Sequence, residues 1–229
     1  MLFLIPARGG SKSVPQKNLA KIEDYSLLEL AIKSAPSESF PNSIVMVSSD
    51  EEEILLIAKH LGALPVHRSE RAASDISPAS DVIFDLLTQV NLATEITDET
   101  LIVYLQPTSP LRTSKHVLEA LELYRSNRCP VVSVTNISEY PQKMLEIDNA
   151  GFLKSFIANS DPSINRQALP NLLIPNGAIY IFKVSDFKEF DAIPVQSSIP
   201  HFMSREDSID IDSQLDLSFA RWLFKIRNS

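Results

Sequence analysis

The sequence contains a single cysteine, Cys129, among 229 residues. One thiol cannot form an internal disulfide bond, and Cys129 together with the four scattered histidines shows no zinc-ligand spacing. Those histidines are His60, His67, His116 and His201. The scarcity of cysteine therefore argues against a disulfide framework or a zinc module, and it is typical of a reducing, cytoplasmic environment.

Long apolar runs are also missing. The opening stretch over 1–7 is apolar, but it is only seven residues long and has no basic segment before it. No part of the sequence reaches the roughly 18 apolar residues of a membrane span. We therefore expect no membrane association and no secretion signal, and we interpret the opening stretch as a buried first strand.

Positive charge is in the minority, with 21 lysines and arginines against 29 aspartates and glutamates, a formal net charge of −8. A protein that binds a nucleic-acid polymer through its phosphates needs a broad basic face, so this balance argues against such a partner. Any phosphate site must be local. The length and the hydrophobic content of 44% fit one large core with room for a small inserted lobe.

Strand-like and helix-like segments alternate along most of the chain. We predict strands over 1–7, 43–50, 101–105 and 130–134, and helices over 26–35, 50–60, 79–90, 113–127 and 213–226. Ser26 with Glu29, and Asp50 with Glu53, have the spacing of helix N-terminal caps. The alternation predicts an α/β fold with a mostly parallel, doubly wound sheet covered on both faces.

The pattern changes over 136–176, which holds four of the fifteen prolines and shows weak periodicity. We predict that this stretch leaves the sheet and that the chain returns to it at the AIYIF segment. The predicted organisation is a core of 1–135 and 177–229 with an inserted lobe of 136–176. A lid or partner-docking arm and a plain surface loop both fit this composition.

A cationic, glycine-rich segment, IPARGGSKSVPQKN over 5–18, follows the first predicted strand. Ligands of open α/β sheets bind at the carboxyl ends of the strands, and the N–H groups of such a turn can hold phosphate oxygens. Arg8, Lys12 and Lys17 would neutralise several phosphate charges. The segment is neither a Walker A loop nor a dinucleotide fingerprint. A solvated basic turn is the alternative, but the absence of any acid before Glu23 favours a polyphosphate site.

Two acids alternate with isoleucine in SIDID, over 208–212. In a strand, Asp210 and Asp212 would share one face about 7 Å apart. Mg²⁺ prefers one or two carboxylates plus phosphate oxygens, so the pair predicts a magnesium site that acts with the cationic loop if the two segments adjoin. The alternative is that Asp212 and Ser213 merely cap the last helix, with Asp216 completing the box.

Taken in order, the segments IPARGGSK, P-x-KN, LQPTSPLR, RQALP, NGAIYI and SIDID resemble those of the acylneuraminate cytidylyltransferases, or CMP-sialic acid synthetases. The resemblance runs over about 2–222. It implies a Rossmann-like nucleotidyltransferase fold and transfer of CMP from CTP to the anomeric hydroxyl of a nine-carbon 2-keto sugar acid. The opening loop is closer to this branch than to the CMP-KDO synthetases.

The resemblance also implies roles for individual residues. The predicted nucleotide-binding residues are Arg8, Ser11, Lys12, Lys17, Asn18 and Arg68. The predicted catalytic residues are Lys12, Lys17, Asp210 and Asp212, the two aspartates being the Mg²⁺ ligands. The predicted sugar-binding residues are Gln106, Lys143, Arg166, Asn176 and Tyr180. In relatives the lobe over 136–176 mediates dimerisation, which predicts a homodimer with CTP and a nonulosonic sugar acid as its small-molecule partners.

Several alternatives stay open at this point. Gln106 could shape its proline-rich turn, Tyr180 could be a core aromatic residue, and Asn176 with Gly177 could be a turn signal. Ser13 stands where many sialic acid members have glycine, so the acyl sugar is undecided and legionaminic or pseudaminic acid fits as well. A glycosyltransferase with Asp210-Ile211-Asp212 as its metal motif, or an inactive nucleotide-binding protein, are the rival functions.

Overall fold

The computed structural model describes residues 1–11, 13–74, 77–90 and 96–227, with the side chain of Val90 left out. The chain divides into a larger unit, Met1–Val134 with Pro175–Ser229, and a smaller unit, Thr135–Ile174. Within the described residues, no helix is long and apolar enough to cross a membrane.

A seven-stranded sheet forms the centre of the fold. Its strands are β1 (Leu2–Pro6), β4 (Ile44–Ser49), β5 (Leu64–His67), β6 (Leu101–Tyr104), β7 (Val131–Asn136), β10 (Leu173–Lys183) and β11 (Ile199–Phe202). Their order across the sheet is β11-β7-β10-β6-β1-β4-β5. Two hairpins are separate from it: β2 (Lys21–Ile22) with β3 (Tyr25–Ser26), and β8 (Leu145–Ile147) with β9 (Leu153–Ser155). The pairs β1–β4, β1–β6, β4–β5 and β7–β11 are parallel, whereas β10 is antiparallel to β6. The predicted mostly parallel sheet is confirmed.

The helices are α1 (Leu27–Ser34), α2 (Glu52–His60), α3 (Glu70–Ala73), α4 (Ala79–Val90), α5 (Ser114–Asn127), α6 (Val184–Phe190) and α7 (Gln214–Arg227). Ser26 and Glu29 form the predicted capping box of α1. The predicted cap of α2 is wrong: Glu51 stands at that position without a side-chain bond. The Asp50 carboxylate instead accepts a hydrogen bond from the Gly9 backbone N–H, at 2.9 Å.

Alternate residues of β1 contribute to cores on opposite faces of the sheet. Phe3 and Ile5 belong to a cluster with residues of α1, α2 and α5. Leu2 and Leu4 belong to a second cluster with residues of α4 and α6. All four side chains are at most 3% exposed. Burial on both faces explains why β1 is continuously apolar, as is usual for a central parallel strand.

A third, smaller core fixes the end of the chain beside the first loop. Ile211 and Leu217 pack in one cluster with Val14, Ile22 and Leu27. Our prediction of a strand over 208–212 is wrong, because this segment joins no sheet and begins in a turn. Its alternation nevertheless survives: Ile211 is fully buried, whereas Asp210 and Asp212 are exposed.

The smaller unit, Thr135–Ile174, contains the β8–β9 hairpin and two short 3-10 turns. None of its residues, all of which the structure describes, is buried. Its most exposed large apolar side chains are Ile147, Phe152, Leu153 and Phe156, at 62% to 72% exposure. A unit with no buried side chain of its own leaves an apolar surface in contact with water.

Candidate active site

A cavity of about 250 Å³ opens at the carboxyl ends of strands in the parallel part of the sheet. The carboxyl ends of β1 and β6 contribute Pro6 and Tyr104, and the loops that follow these strands complete much of the wall. Predicted site residues on this wall are Arg8, Ser11, Lys17, Asn18, Arg68 and Gln106. Three of the six are cations, which makes the cavity suited to a phosphorylated ligand. The predicted residue Lys12 lies outside the described residues.

The loop after β1 is held in shape by hydrogen bonds from both sides. Buried Asn18 donates from Nδ2 to the Arg8 carbonyl at 2.7 Å, closing the loop across its base. Asp50 at the end of β4 accepts from the Gly9 N–H. A Cβ atom on Gly9 would lie 2.7 Å from the Cβ atom of Glu51, so only glycine permits this approach.

Lys17 connects the first loop to the acidic segment near the end of the chain. Its Nζ donates to the Ile211 carbonyl at 2.6 Å and to Asp212 Oδ1 at 3.2 Å. The lysine side chain is 13% exposed and the aspartate side chain 79% exposed. The structure therefore brings the cationic loop and the acidic pair together, although almost 200 residues separate them in sequence.

The acidic pair is not used for capping α7. Ser213 provides that cap, since its Oγ accepts from the Asp216 N–H, and Asp216 accepts in return from the Ser213 N–H. The Asp212 carboxylate is left to Lys17. The Asp210 residue keeps exposed surface, but the atoms packed around its carboxyl group raise its pKa, as does the neighbouring Asp212 charge.

Arg68 lies deep in the cavity wall and is only 3% exposed. Its guanidinium donates to the hydroxyl and the carbonyl of Ser48, at 3.2 and 2.9 Å. Burial lowers its pKa, with partial compensation from Tyr104, Asp50 and Asp85. A buried, fixed guanidinium beside a cavity is a strong electrostatic anchor for an anionic ligand because little water screens it.

Gln106, which follows β6, rests on the backbone of β10. Gly177 has a φ of +77°, and a Cβ atom there would meet Gln106 Oε1 at 2.5 Å, so glycine is needed for both reasons. Beneath them, the fully buried Arg112 donates to the Gln106 and Ala178 carbonyls at 2.8 and 2.9 Å. Burial lowers the pKa of Arg112 to about 9.

The other two predicted sugar contacts in the larger unit do not line the cavity. Asn176 is 7% exposed, and both ends of its amide bond other protein groups. Tyr180 is half-buried, with its ring edge against Tyr104 at 6.2 Å between centroids. Burial is the main cause that raises the pKa of the Tyr180 phenol, and the charge of Asp210 is the second cause. The phenol is therefore near the acidic segment.

Lys143 and Arg166 belong to the smaller unit. The Arg166 guanidinium donates to the Ser138 carbonyl and lies over the Tyr140 ring, 5.8 Å from its centroid. Lys143 lies in a 3-10 turn, partly exposed.

Sequence reasoning missed four residues that shape the site: Asp50, Tyr104, Thr108 and Arg112. Thr108 lines the cavity, gives Asp210 a side-chain hydrogen bond, and accepts the Ile211 N–H at its carbonyl, 2.8 Å away. Its position in the proline-rich turn, two residues after Gln106, is the sequence feature that could have indicated a role in the site. Asp50 was assigned to a cap, and nothing in the local pattern marks Arg112 as buried.

Comparison with known proteins gives consistent findings. The cytidylyltransferase family model matches residues 2–190. An N-acylneuraminate cytidylyltransferase of Escherichia coli O18:K1:H7 is 33% identical over 96% of this chain and 51% of its own. A CMP-N,N'-diacetyllegionaminic acid synthase of Legionella pneumophila is 33% identical over 99% of this chain and 97% of its own. The chain spans about half the length of the first curated relatives it matches, such as the E. coli protein.

A solved structure of a CMP:2-keto-3-deoxy-manno-octonic acid synthetase with CTP superposes with a TM-score of 0.68 at 15% identity, covering 99% of this chain and 98% of that one. At that identity the likeness speaks for the fold alone, which is that of a nucleotidyltransferase. The family model and the sequence matches show that the chain belongs to the cytidylyltransferase family.

Proposed function

We propose that this protein transfers CMP from CTP to the anomeric hydroxyl of a nine-carbon, sialic acid-type sugar and releases pyrophosphate. One observation carries the proposal: Lys17 lines the cavity at the strand ends and is bonded directly to the acidic 208–212 segment. This arrangement puts phosphate-binding cations and carboxylates in one place, as phosphoryl transfer requires. Neither group alone would distinguish a nucleotidyltransferase from another anion-binding protein.

On the nucleotide side, Arg8, Ser11, Lys17, Asn18 and Arg68 would hold the triphosphate and nucleoside. The oxygen of the sugar hydroxyl attacks the α-phosphorus and its proton passes to solvent. The bond between the α-phosphorus and the oxygen that bridges it to the β-phosphorus breaks, and pyrophosphate leaves with the negative charge of that oxygen. Lys17 stabilises that charge, and Lys12 is expected to act with it. Arg68 provides a fixed positive charge that needs no reorganisation during the reaction, because it is already bonded to Ser48.

The acidic pair fits a magnesium ion. Asp210 and Asp212 present hard oxygen donors from exposed positions on the chain beside the cavity, whereas the intervening Ile211 is anchored in the core. The described residues form no cluster of three or more metal-ligating side chains. Two carboxylates suffice for Mg²⁺, which completes its shell with water and phosphate oxygens. When bound, the ion would offset charge on the phosphates during transfer.

For the sugar acid, Gln106 is the predicted contact that lines the cavity, and Tyr180 lies near the acidic segment. Arg166 and Lys143 would supply positive charge for the sugar carboxylate, Arg166 by bidentate pairing. Both residues belong to the smaller unit, and the family resemblance predicts that this unit mediates dimerisation. We therefore propose that they act on the site of a second copy. The exposed Ile147, Phe152, Leu153 and Phe156 support burial of this unit in a homodimer.

The dimer is tested by size-exclusion chromatography with light scattering. The intact protein should elute as a dimer, and Phe152→Asp, which adds a charge to an apolar side chain that is 70% exposed, should shift it toward the monomer. A monomeric wild-type protein at working concentration would oppose the dimer proposal.

N,N'-diacetyllegionaminic acid is a second candidate substrate, because the Legionella relative matches this chain over almost its full length. Pseudaminic acid is a further sugar acid of the same chemical class. These acids share with N-acetylneuraminic acid the nine-carbon 2-keto acid skeleton and its anomeric hydroxyl, so the same nucleotide chemistry would serve all three.

The deciding experiment measures pyrophosphate release from CTP and Mg²⁺ in parallel with N-acetylneuraminic, legionaminic, pseudaminic and KDO acids. Nucleotide-only blanks serve as controls. Release with one nonulosonic acid above the others would identify the substrate. Silence with all four, with tight CTP binding by calorimetry, would indicate an inactive binding protein, and transfer from a CMP-sugar to an acceptor glycan would indicate a glycosyltransferase.

A further inference from the structure

Asn176, in β10, has a side chain whose hydrogen-bonding capacity is fully used inside the protein. Its Nδ2 donates to Ser208 Oγ at 2.8 Å and to Met203 Sδ at 3.3 Å. Its Oδ1 accepts from Ser133 Oγ at 2.5 Å and from the Ala178 N–H at 3.1 Å. A primary amide has two N–H donors and two lone pairs, so these four bonds account for all of them.

On one side, this amide fastens the turn that leads into the acidic pair. Ser208, its partner, stands two residues before Asp210 and also donates to the Ser204 carbonyl at 2.6 Å. Asp207, in the same turn, accepts from Arg227 of α7 at 2.6 Å. Among the described residues, Asn176 links the sheet to this turn by a side-chain hydrogen bond. Arg227 links the same turn to the last helix.

On the other side, the same amide shapes the backbone on which Gln106 rests. Its bond to the Ala178 N–H spans Gly177, whose lack of a Cβ atom leaves room for the Gln106 side chain. Ser133 of β7 extends the connection, since its Oγ bonds Asn176 and also accepts the Ile179 N–H at 2.7 Å. A network of satisfied buried bonds of this kind holds its members in one arrangement.

We propose that Asn176 is a positioning residue that holds the acidic 208–212 segment in a fixed place relative to the β10 backbone on which Gln106 rests, with Ser208 as the relay. The inference rests on the proposed function, and it replaces a direct sugar contact for Asn176. Without the relay, the segment carrying Asp210 would sample more conformations, and the carboxylates would hold a divalent ion with CTP less tightly. Affinity for the sugar acid would stay near that of the unaltered protein.

The informative variant is Ser208→Ala, because it removes one hydroxyl from a partly exposed turn and leaves the buried Asn176 in place. The first measurement is binding of Mn²⁺ in the presence of CTP, by electron paramagnetic resonance or calorimetry. We expect affinity to fall about three- to tenfold, the effect of one hydrogen bond. The second is amide hydrogen exchange over 204–212, which should accelerate.

Ser218→Ala is the matched control, since Ser218 Oγ bonds only the Gln214 carbonyl one turn away on α7 among its described hydrogen bonds. It should change neither readout. Asn176→Asp combined with Ser208→Ala should be no worse for Mn²⁺ affinity than Asn176→Asp alone, because both act through one bond.

Unchanged Mn²⁺ affinity and unchanged exchange in Ser208→Ala would overturn the inference. So would an increase in the KM for the sugar acid in Asn176→Asp together with normal Mn²⁺ affinity, which is the signature of a direct sugar contact. If the unaltered protein releases no pyrophosphate with any sugar acid, the proposed function fails, but the exchange measurement still decides the positioning role because it needs neither ligand nor turnover.

Discussion

The nucleotide side and the sugar side of the proposed site differ in how the chain assembles them. Four of the nucleotide residues, Arg8, Ser11, Lys17 and Asn18, come from one loop, and all line one cavity. The sugar-side residues of the larger unit come from distant segments, and of these only Gln106 lines the cavity. Asn176 is buried in a network, and Tyr180 packs against another aromatic ring. Residues of one loop after a strand are positioned together by that strand. Residues from several segments are positioned only when the tertiary structure packs those segments against each other.

The largest effect is expected where the two sides share a group. Asp210→Asn removes a charge from the acidic pair but keeps the size of the side chain. Turnover should fall on the order of 10²- to 10³-fold, the usual cost of losing a principal charge-stabilising group. Steady-state pyrophosphate release measures it, with circular dichroism to verify folding and Asp24→Asn, an exposed acid of the β2–β3 turn, as control. Near-normal kcat in a folded Asp210→Asn protein would remove this residue from the site.

Arg112 offers a way to weaken the sugar side from beneath. Arg112→Met removes the donor that bonds the Ala178 carbonyl and the Ser34 hydroxyl, and it leaves the Gln106 carbonyl with the longer bond of 3.4 Å from the Ser109 N–H. Because unsatisfied buried acceptors are costly, we expect stability to fall by about 2 kcal/mol. For a chain of this size that corresponds to a melting temperature roughly 4–8 °C lower.

Differential scanning calorimetry or thermal circular dichroism measures the loss of stability in Arg112→Met. Arg125→Met is the comparison, since Arg125 makes an exposed ion pair with Glu122 that should contribute little. Equal losses in the two variants would contradict the structural role of Arg112.

Two glycines allow each side to be perturbed separately. Gly9→Ala brings a methyl group against the Cβ atom of Glu51, so the first loop must shift, and the KM for CTP should rise about tenfold, the order of one lost polar contact. Gly177→Ala displaces the Gln106 amide and strains a backbone at φ +77°, so the KM for the sugar acid should rise by a similar factor.

Each glycine variant should leave the other substrate's KM close to the wild-type value. Gly10→Ala is the control within the loop, because a Cβ atom there meets no atom within 4 Å. If both KM values rise together in both variants, the nucleotide side and the sugar side form one mechanically coupled unit and are not assembled independently.

The parts of the fold that could be predicted are those with a local pattern. The strand β1 is apolar on both faces, and the capping box of Ser26 and Glu29 marks the start of α1. The edge strand β11 and the short helix α6 were missed, since β11 is only four residues long and contains proline and α6 lacks a recognised start signal. Asp50 shows why the cap was misassigned: its carboxylate bonds Gly9, a partner 41 residues away.

The parts of the site that could be predicted are likewise those with a local sequence motif. The cationic loop and the acidic pair were visible as motifs, but their junction through Lys17 and the Ile211 carbonyl is a product of tertiary packing. The buried Arg112 and the saturated amide of Asn176 carry no local signature, because arginine and asparagine are ordinarily surface residues. Their roles depend on which carbonyls and hydroxyls the fold places around them.

The smallest expected effect is on pH-dependent stability, and it arises away from both sides of the site. His201 and His116 lie 6.4 Å apart between ring centroids, on β11 and α5. Burial lowers the pKa of each below its ordinary 6.5, and for His116 the nearby Asp207 and Glu119 oppose this without reversing it. Below pH 6.5 these two histidines therefore bind fewer protons in the folded protein than in the unfolded chain.

It follows that stability should decrease as the pH falls below about 6.5, and it should be fully retained above that value. His201→Gln should flatten this dependence between pH 7 and 5 in urea titrations, a range in which most carboxylates stay ionised. His60→Gln, at an exposed position, is the matched control for the loss of a histidine side chain. Because Nε2 of His201 is buried and has no hydrogen-bond partner among the described residues, a proton added there gains no acceptor within the protein, which is why the slope should point toward acid lability.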